Sequence, residues 1–366
     1  MRVGILTFHE VFNPGAFWQA YATCQVVRNL GHEPVVINYT NPAHRFRPLP
    51  GLLNLGAWRQ PGYWIDCCRK DLSYGRSREK LLPISRRFLT RADLMTEYFD
   101  AVIIGADIVW DFRSPQLGKD PVYFGEFLNT PKLISWAASM GACDSAGEIP
   151  EFVSKGLPKF KAISVRDEKT ADLVRKISGR VADVLPDPTF NLDITAIPRG
   201  KAPQKPYIAV YAIPGLITAS FVSQARAFAA KNKLPLCAVG YRAKWADHNF
   251  VEAAPEDWFA TFERAEYVMT NTFHGTVFSI LLGKKFVTEY NPAIESKTQG
   301  MLDRLGLTQR ILNRNEGNGA EQILLKDWPV GLVRDKIKTM AQEAQRFLSD
   351  ALFAGTKFTD VSVKGL

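Results

Sequence analysis

The segment EYVMTNTFHGTVFSILLGKK, residues 266–285, combines a strand, a tight turn and a helix. Tyr267–Met269 is a short apolar run of the kind found in buried strands, and Thr276–Leu282 is apolar at helical spacing and stops at a glycine. The polar turn Thr270–Gly275 places His274 close to the helix N-terminus, where free amides and the helix dipole favour an anion. A histidine at this position either protonates a bound anionic substrate or packs beside an ordinary helix cap.

The same alternation of strands and helices opens the chain. Val3–Thr7 is a predicted strand, and a helix is predicted from Ala16 to Leu30. The loop between them has one glycine where a dinucleotide-binding fingerprint needs three, so we do not expect an NAD site. Asn13 and Gly15 still lie just outside the carboxyl end of a strand, where such sheets bind ligands, and their amides either face an anion or form a plain turn.

Charged side chains follow two further predicted strands. Asp107 comes after the strand Tyr98–Ile104, and Arg166 comes after the strand Ala162–Val165. A helix cap explains the aspartate and a surface ion pair explains the arginine equally simply. Their place at strand ends makes both candidates for a ligand site.

A segment rich in proline and charge, residues 193–206, divides the chain. We expect an N-terminal Rossmann-like domain over residues 1–195 and a C-terminal one over residues 206–330. An amphipathic helix and tail are expected over residues 331–366. The predicted class is α/β, with two doubly wound Rossmann-like domains facing a cleft, and the ligands should bind in that cleft.

The composition of the chain indicates the cellular compartment in which the protein is expected. The chain is 46% hydrophobic, enough to bury sizeable cores. Its five cysteines show no metal-binding spacing, which favours a reducing compartment. Without a signal-peptide pattern or an apolar run of membrane-spanning length, the expected location is the cytoplasm.

The net charge of +9 is concentrated in one region. Residues 44–91 hold eleven Lys/Arg and three Asp/Glu, with aromatic residues between them, and we expect a basic helical insertion here. Such a face suits an anionic membrane surface or a lipid-linked substrate, while a solvated insertion without a partner is equally open. Nucleic acid is the least favoured partner, and none is expected.

Seven segments occur in the order found in one protein family. Together they resemble the polysaccharide pyruvyl transferase family over most of the chain: GILTFHEVFNPGAFWQAYA (4–22), FDAVIIGADIVWDF (99–112), ISWAASMG (134–141), ISVRDEKTADLV (163–174), VLPDPTF (184–190), VMTNTFHGTVFSILLGKKFV (268–287) and KTQGMLDRLGL (297–307).

This resemblance implies a fold like that of the GT-B glycosyltransferases. It also implies transfer of the enolpyruvyl group of phosphoenolpyruvate onto sugar hydroxyls, forming a cyclic ketal with loss of phosphate. The acceptor would be a bacterial surface polysaccharide or its lipid-linked precursor, bound on the N-terminal side, with phosphoenolpyruvate on the C-terminal side. Phosphoenolpyruvate is then a substrate, and neither a cofactor nor a metal is expected.

The resemblance also assigns roles. His274 matches the functional histidine and would be the general acid, and Asp107 is a candidate base for the sugar hydroxyl. The expected substrate contacts are Asn13, Gly15, Arg166, Asn271, Thr272, Gly275, Thr276 and Lys297. The sequence departs from the family at Thr272, where some members have an arginine, and at Ala106 and Ile108, where the family has serine and glutamine.

Two other functions remain open at this stage. A GT-B glycosyltransferase using a nucleotide sugar would share the fold and would need an acid for the ribose, for which Glu289 and Glu295 are available. A glycan- or membrane-binding protein without catalysis is the second alternative. In each case a peripheral position at the inner face of the plasma membrane is compatible with the basic region.

Overall fold

The computed structural model describes residues 1–39, 61–114, 119–141, 143–144, 147–289, 295–312 and 319–354. Residues 40–60, which carry part of the expected basic insertion, and the tail from residue 355 lie outside the described residues. We call the chain up to residue 206 the first unit and residues 207–329 the second unit.

The first unit contains a seven-stranded sheet in which every pair of neighbouring strands is parallel. Its spatial order is β3-β2-β1-β4-β5-β6-β7. This order reverses direction between β1 and β4, as in a doubly wound fold. The strands are β1 (Arg2–Leu6), β2 (Glu33–Tyr39), β3 (Ile84–Phe88), β4 (Ala101–Ile104), β5 (Leu133–Ala138), β6 (Ala162–Val165) and β7 (Asp183–Val184).

The second unit repeats this design with a six-stranded parallel sheet of order β10-β9-β8-β11-β12-β13. Its direction reverses between β8 and β11. The expected fold class, two Rossmann-like doubly wound units, is therefore confirmed. The strands are β8 (Ile208–Tyr211), β9 (Leu236–Val239), β10 (His248–Phe250), β11 (Tyr267–Thr270), β12 (Lys285–Glu289) and β13 (Ile311–Leu312).

Helices connect the strands and cover both sheets. In the first unit they are α1 (Pro14–Asn29), α2 (Pro61–Leu81), α3 (Arg91–Leu94), α4 (Glu151–Gly156) and α5 (Glu168–Ser178). In the second unit they are α6 (Ala219–Asn232), α7 (Pro255–Arg264), α8 (Phe273–Leu281), α9 (Glu295–Leu305) and α10 (Ala320–Leu325). The last helix is α11 (Val330–Phe353).

Aromatic side chains fill the contact between the two units. Trp18 of α1 is fully buried and its ring lies 6.0 Å from Phe259 of α7 and 6.5 Å from Phe278 of α8. Burying large aromatic rings stabilises an interface strongly. Since α1 follows β1 and α8 follows β11, this packing brings the loops at the reversal points of both sheets together.

The expected helical region up to residue 91 forms only in part. Pro61–Leu81 is helical, but Ile84–Phe88 is a strand that pairs with β2. Helix α2 docks on the second unit, where the Lys70 Nζ donates to the Gly240 carbonyl at 2.8 Å and the Ser77 hydroxyl donates to Glu256 at 2.6 Å.

The last helix returns from the second unit to the first. Asn191 donates its side-chain amide to the Ala341 carbonyl of α11 at 2.8 Å, and the Lys132 Nζ donates to the Ala354 carbonyl at 2.9 Å. Helix α11 therefore contacts the first unit directly.

Candidate functional site

The turn between β11 and α8 is held by its own side chains. Thr272 is the N-cap of α8 and its hydroxyl accepts from the Gly275 amide at 2.9 Å. Asn271 is fully buried, and its side-chain oxygen accepts from the Ile213 amide at 2.8 Å. A Cβ at Gly275 would lie 2.1 Å from the Thr270 Oγ1, so glycine is needed here. These contacts fix the start of α8.

The capping pattern decides which amides of this turn can meet an anion. The Gly275 amide is taken by the Thr272 hydroxyl, and the Thr276 amide is taken by the Thr272 carbonyl at 3.1 Å. The amides of Phe273 and His274 occupy the first two positions of the helix, where no intrahelical acceptor exists. An anion would therefore be met by these two amides rather than by those of Gly275 and Thr276.

His274 is held between the two units. Its Nε2 lies 3.7 Å from the Oδ2 of Asp187, which follows β7 in the first unit. Its ring lies against Gly15 at the start of α1, because a Cβ at Gly15 would be 2.0 Å from the His274 Nδ1. The imidazole is buried, with the start of α1 on one side and the segment after β7 on another.

Asp187 is the centre of a buried polar cluster. Its Oδ2 accepts from the Arg166 Nη1 at 2.9 Å and from the Gln19 Nε2 at 2.5 Å. Its Oδ1 accepts from the Thr189 amide at 3.1 Å and the Thr189 hydroxyl at 2.7 Å. Burial alone would raise the pKa of Asp187, but the contact with His274 and the charge of Arg166 outweigh it and hold this pKa well below its usual value.

Three polar atoms around Asp187 lack a hydrogen-bond partner among the described residues. They are the Arg166 Nε, the Gln19 Oε1 and the His274 Nε2, all buried. The His274–Asp187 distance exceeds hydrogen-bond length, so Nε2 is not satisfied by the carboxylate. Buried polar groups are normally paired, so three unpaired ones around a single carboxylate indicate a site for a polar ligand.

A pocket of about 140 Å³ adjoins this cluster. Arg166, Asp187 and Phe273 form its inner wall, and Lys297 and Arg304 of α9 contribute from the second unit. The Arg166 guanidinium stacks on the Phe273 ring at 5.1 Å. Burial, together with the neighbouring charge of Arg166, lowers the pKa of Lys297 to about 7. Positive groups from both units therefore line the pocket, together with the carboxylates of Asp167, Glu168 and Asp187.

Asp107 lies beside the same arginine. Its Oδ1 is 3.9 Å from the Arg166 Nη2, and its side chain is 17% exposed. The Oδ1 also accepts from the Ile108 amide at 2.9 Å, and the backbone of Asp107 has a φ of 69°, in the left-handed region. This conformation costs free energy in a non-glycine residue and is common where a loop is held for function.

Asn13 acts as the N-cap of α1. Its side-chain oxygen accepts from the Gly15 amide at 2.8 Å, so this amide is occupied within the turn. Gly15 instead contributes space, since its missing side chain admits the His274 ring. Gly15 therefore contacts the candidate histidine, and Asn13 caps the helix start on which Gly15 lies.

The structure brings His274, Arg166, Asp107, Lys297 and Gly15 into one region between the units, with the α8 turn beside them. Sequence reasoning missed Asp187 and Gln19. The segment VLPDPTF contributes to the sequence analysis only as one of the seven family segments, although Asp187 follows a strand just as Arg166 does. Its position at a strand end was a signal that could have identified it.

The described residues contain no cluster of three or more His, Cys, Asp or Glu side chains suited to a metal ion. Among the helices that the structure describes, none combines the length and the apolar character needed to cross a bilayer.

Two facing Rossmann-like units with a polar site between them form a GT-B-like fold, and a comparison with one solved structure supports this fold. A putative UDP-N-acetylglucosamine 2-epimerase from Listeria monocytogenes is similar in fold, with a TM-score of 0.54 and 10% identity over 98% of this chain and 97% of that one. A UDP-GlcNAc 2-epimerase from Neisseria meningitidis gives 0.45 and 11% identity over 97% and 100%, and the E. coli ADP-heptose LPS heptosyltransferase II gives 0.40 and 10% over 94% and 99%.

The family is established by the sequence. The model of the polysaccharide pyruvyl transferase family matches residues 13–291, which is most of the chain, and the protein belongs to this family. A search of curated proteins found no significant match.

Proposed function

We propose that the protein is a ketal pyruvyl transferase that uses phosphoenolpyruvate as donor and a saccharide as acceptor. The observation that carries this proposal is the set of unpaired buried atoms of Arg166, Gln19 and His274 around Asp187, beside a pocket that Arg166 and Lys297 both line. Phosphoenolpyruvate is a small dianion or trianion with a carboxylate and a phosphate, and fixed cations and helix-start amides are the groups that bind such anions.

The first step needs an acid at the methylene carbon of the donor. The His274 imidazolium gives its proton to this carbon, which becomes a methyl group, and the neighbouring carbon becomes an oxocarbenium-like centre. A sugar hydroxyl attacks that centre and loses its proton to a base, for which Asp107 is the candidate. The product of this step is a tetrahedral adduct that still carries phosphate.

The second step closes the ring. A second hydroxyl of the same sugar attacks the same carbon, and inorganic phosphate leaves with its bonding electrons. The hydroxyl proton passes to the phosphate or to the base, so that phosphoenolpyruvate and a diol give a cyclic ketal and phosphate. The chemistry needs no oxidant or reductant.

Cations on both sides of the cleft suit the charges of the donor. Arg166 is fixed by Asp187 at 2.9 Å and by stacking on Phe273, so its orientation is set before a ligand arrives. Lys297 faces the same pocket from α9. The amides of Phe273 and His274 add donors at the helix start.

A nucleotide-sugar glycosyltransferase has less support from the geometry. Glu289, one of the two acids considered for a ribose, is buried and accepts from the amide of Thr218 at 3.3 Å and from its hydroxyl. Its carboxylate thus already has local donors at the start of α6.

The test is a reaction in D2O with phosphoenolpyruvate and a panel of hexose oligosaccharides that offer 1,2- or 1,3-diols. We expect phosphate release together with a ketal whose methyl group is CH2D, because the proton from His274 exchanges with solvent. His274→Ala should abolish both signals, while His248→Ala, at an exposed histidine of the same unit, should keep them. Phosphate release that persists in His274→Ala would contradict the assigned acid.

The proposal extends to a lipid-linked acceptor at an anionic membrane surface. The inner face of α2 is docked on the second unit, while Ile65 and Leu72 of its outer face are 45% and 60% exposed beside Arg69, Arg76 and Lys80. Exposed apolar and basic side chains on one helix face suit the headgroup region of a membrane.

Part of the basic region is neutralised within the fold. Arg86, Arg87 and Arg91 form ion pairs with Asp93, Glu10 and Asp120. The wild type should therefore bind to vesicles containing phosphatidylglycerol, and salt should weaken this binding. The double variant Arg69→Glu/Arg76→Glu should not bind to these vesicles. The control Arg175→Glu/Lys176→Glu on α5 should still bind; equal loss in both double variants would remove the α2 assignment.

A further inference from the structure

A groove of about 500 Å³ lies on the outer side of the second unit, between α6 and the segment that joins β9 to β10. Leu236, which begins β9, and Asp247, which precedes β10, both line it. The groove therefore lies at the amino ends of these strands. His274 follows the carboxyl end of β11, so the groove is separate from the cleft between the units.

Two cationic side chains line the side of the groove that α6 forms. Arg226 and Lys233 are both exposed, and neither forms an ion pair within the part of the chain that the structure describes. Arg226 lies on α6 and Lys233 follows the last residue of this helix, so at a rise of 1.5 Å per residue their Cα atoms are about 10 Å apart along the axis. Ala229 and Ala230 lie between them, and these small side chains leave the space open.

An indole forms the opposite wall. Trp245 is half-exposed, and its ring packs edge-on against Phe221 with the centroids 6.5 Å apart. The Asp247 carboxylate accepts from the Leu236 amide at 2.8 Å, which anchors the segment that carries the tryptophan. The ring is thus held in place with part of its surface open to the groove.

We infer that this groove binds a saccharide chain that carries carboxylates. The apolar face of a sugar ring packs well on an indole, and the carboxylates of neighbouring sugars meet the cations at Arg226 and Lys233. A neutral glycan would leave both cations unused, and a small anion would leave the indole unused. The groove would hold an acidic polymer on the protein. This role goes beyond the proposed transfer reaction and does not depend on it.

Binding of matched oligosaccharides to the full chain tests this inference. The acidic probes are an oligogalacturonate and an oligosaccharide bearing pyruvate ketals, and the neutral probe is a malto-oligosaccharide of the same length, each measured by titration calorimetry. We expect at least one acidic probe to bind about tenfold or more tightly than the neutral one. Comparing the two acidic probes shows whether uronate or ketal carboxylates are the preferred source of charge.

Variants locate the binding in the groove. Trp245→Ala and the double variant Arg226→Ala/Lys233→Ala should each weaken acidic-probe binding about tenfold, whereas Arg175→Ala/Lys176→Ala on α5 should not. Thermal stabilisation by phosphoenolpyruvate should be unchanged in the groove variants, which separates this site from the cleft. The inference is overturned if no acidic probe is preferred, if the groove variants bind like the control, or if single-stranded DNA competes as well as the acidic glycans.

Discussion

Asp187 of the first unit and His274 of the second unit lie 3.7 Å apart, measured from Oδ2 to Nε2, in the buried space between the two sheets. The same Asp187 oxygen accepts from Arg166 at 2.9 Å. One carboxylate thus faces both the candidate acid and the candidate anion-binding group. We regard Asp187 as the positioning residue of the site.

Replacing this carboxylate should affect turnover and stability together. Asp187→Asn leaves Arg166 buried without its counter-charge, and we expect the free energy of unfolding to fall by about 3 kcal/mol. Turnover should fall by about 100-fold or more, because His274 and Arg166 lose their common partner. Denaturant unfolding and phosphate release measure the two effects.

The pH dependence of stability distinguishes a carboxylate that interacts with His274 and Arg166 from one that only caps its own turn. Because the folded pKa of Asp187 is depressed, its carboxylate stabilises the fold above its ordinary pKa of 3.8, and this stability is lost as the pH falls through the lower folded value. Asp187→Asn should therefore flatten the acid limb of the stability profile.

A matched control exists nearby. Asp193 caps the turn that follows it through Thr195 in the way that Asp187 caps its own turn through Thr189, but Asp193 is exposed. Asp193→Asn should keep turnover and most of the acid limb, since the hydrogen bonds with Thr195 lower the pKa of Asp193 but no buried charge faces this exposed carboxylate. Equal effects of the two variants would mean that Asp187 acts only as a cap.

Gly15→Ala should disturb the histidine through space. The added methyl group would lie 2.0 Å from the His274 Nδ1, so the ring must move. We expect a loss of about 1–3 kcal/mol in unfolding free energy and about tenfold or more in kcat/KM. Gly75→Ala is the control, since its Cβ would meet nothing nearer than 3.9 Å and alanine favours a helix.

The double variant Gly15→Ala/His274→Ala sharpens this test. Removing the ring relieves the clash, so the stability loss of Gly15→Ala should shrink in the His274→Ala background. Additive losses would show that the effect of the methyl group does not pass through His274.

Lys297 should make donor binding depend on pH near neutrality. Burial and the charge of Arg166 lower its pKa to about 7, so it is cationic below this pH and neutral above it. The second pKa of a phosphate monoester is about 6, so the donor phosphate is largely ionised at pH 7 and gains little charge above it. Stabilisation by phosphoenolpyruvate should therefore decline between pH 7 and 9 in the wild type.

Substitution identifies the titrating group. Lys297→Arg keeps its charge and should show no such decline, while Lys297→Met should bind weakly at every pH. Asp107, Asp167 and Asp111 also act on Lys297 and raise its pKa, and they remain in both variants. A decline that persists in Lys297→Arg would assign the pH dependence to another group.

Lys70 should hold α2 on the second unit. It is buried, donates to the Gly240 carbonyl at 2.8 Å and lies over the Tyr241 ring at 5.2 Å. Lys70→Met removes the donor, so α2 should open more often and be cut by protease about tenfold faster. Lys80→Met, at an exposed position of the same helix, should leave the cleavage rate unchanged.

The local signals in the sequence were sufficient for most of the fold. The predicted strand, turn and helix at residues 266–285 correspond to β11 and α8, because buried strands and capped helices depend on neighbouring residues. The strand Ile84–Phe88 was not predicted, since its two central arginines interrupt the apolar pattern and its pairing with β2 supplies the stability.

The site was predictable only where its residues act locally. His274 and Arg166 were identified from their positions after strands and from family resemblance. The contact of His274 with Gly15 and its closeness to Asp187 depend on how the second unit packs against the first, which no local pattern contains. The position of Asp187 after a strand marks it as a candidate, but its role as a cap is local, and its closeness to His274 depends on the packing of the two units.

The most direct test of the proposed function is the thermal stability of the protein with phosphoenolpyruvate, for the wild type, Arg166→Ala and the exposed control Arg175→Ala. Ligand at about 100 times its Kd contributes about 2.7 kcal/mol, so we predict a clear rise in Tm for the wild type and the control. Arg166→Ala will itself be less stable, and its Tm should not rise on adding phosphoenolpyruvate. The account would be contradicted if phosphoenolpyruvate left the Tm of the wild type unchanged while a nucleotide sugar raised it.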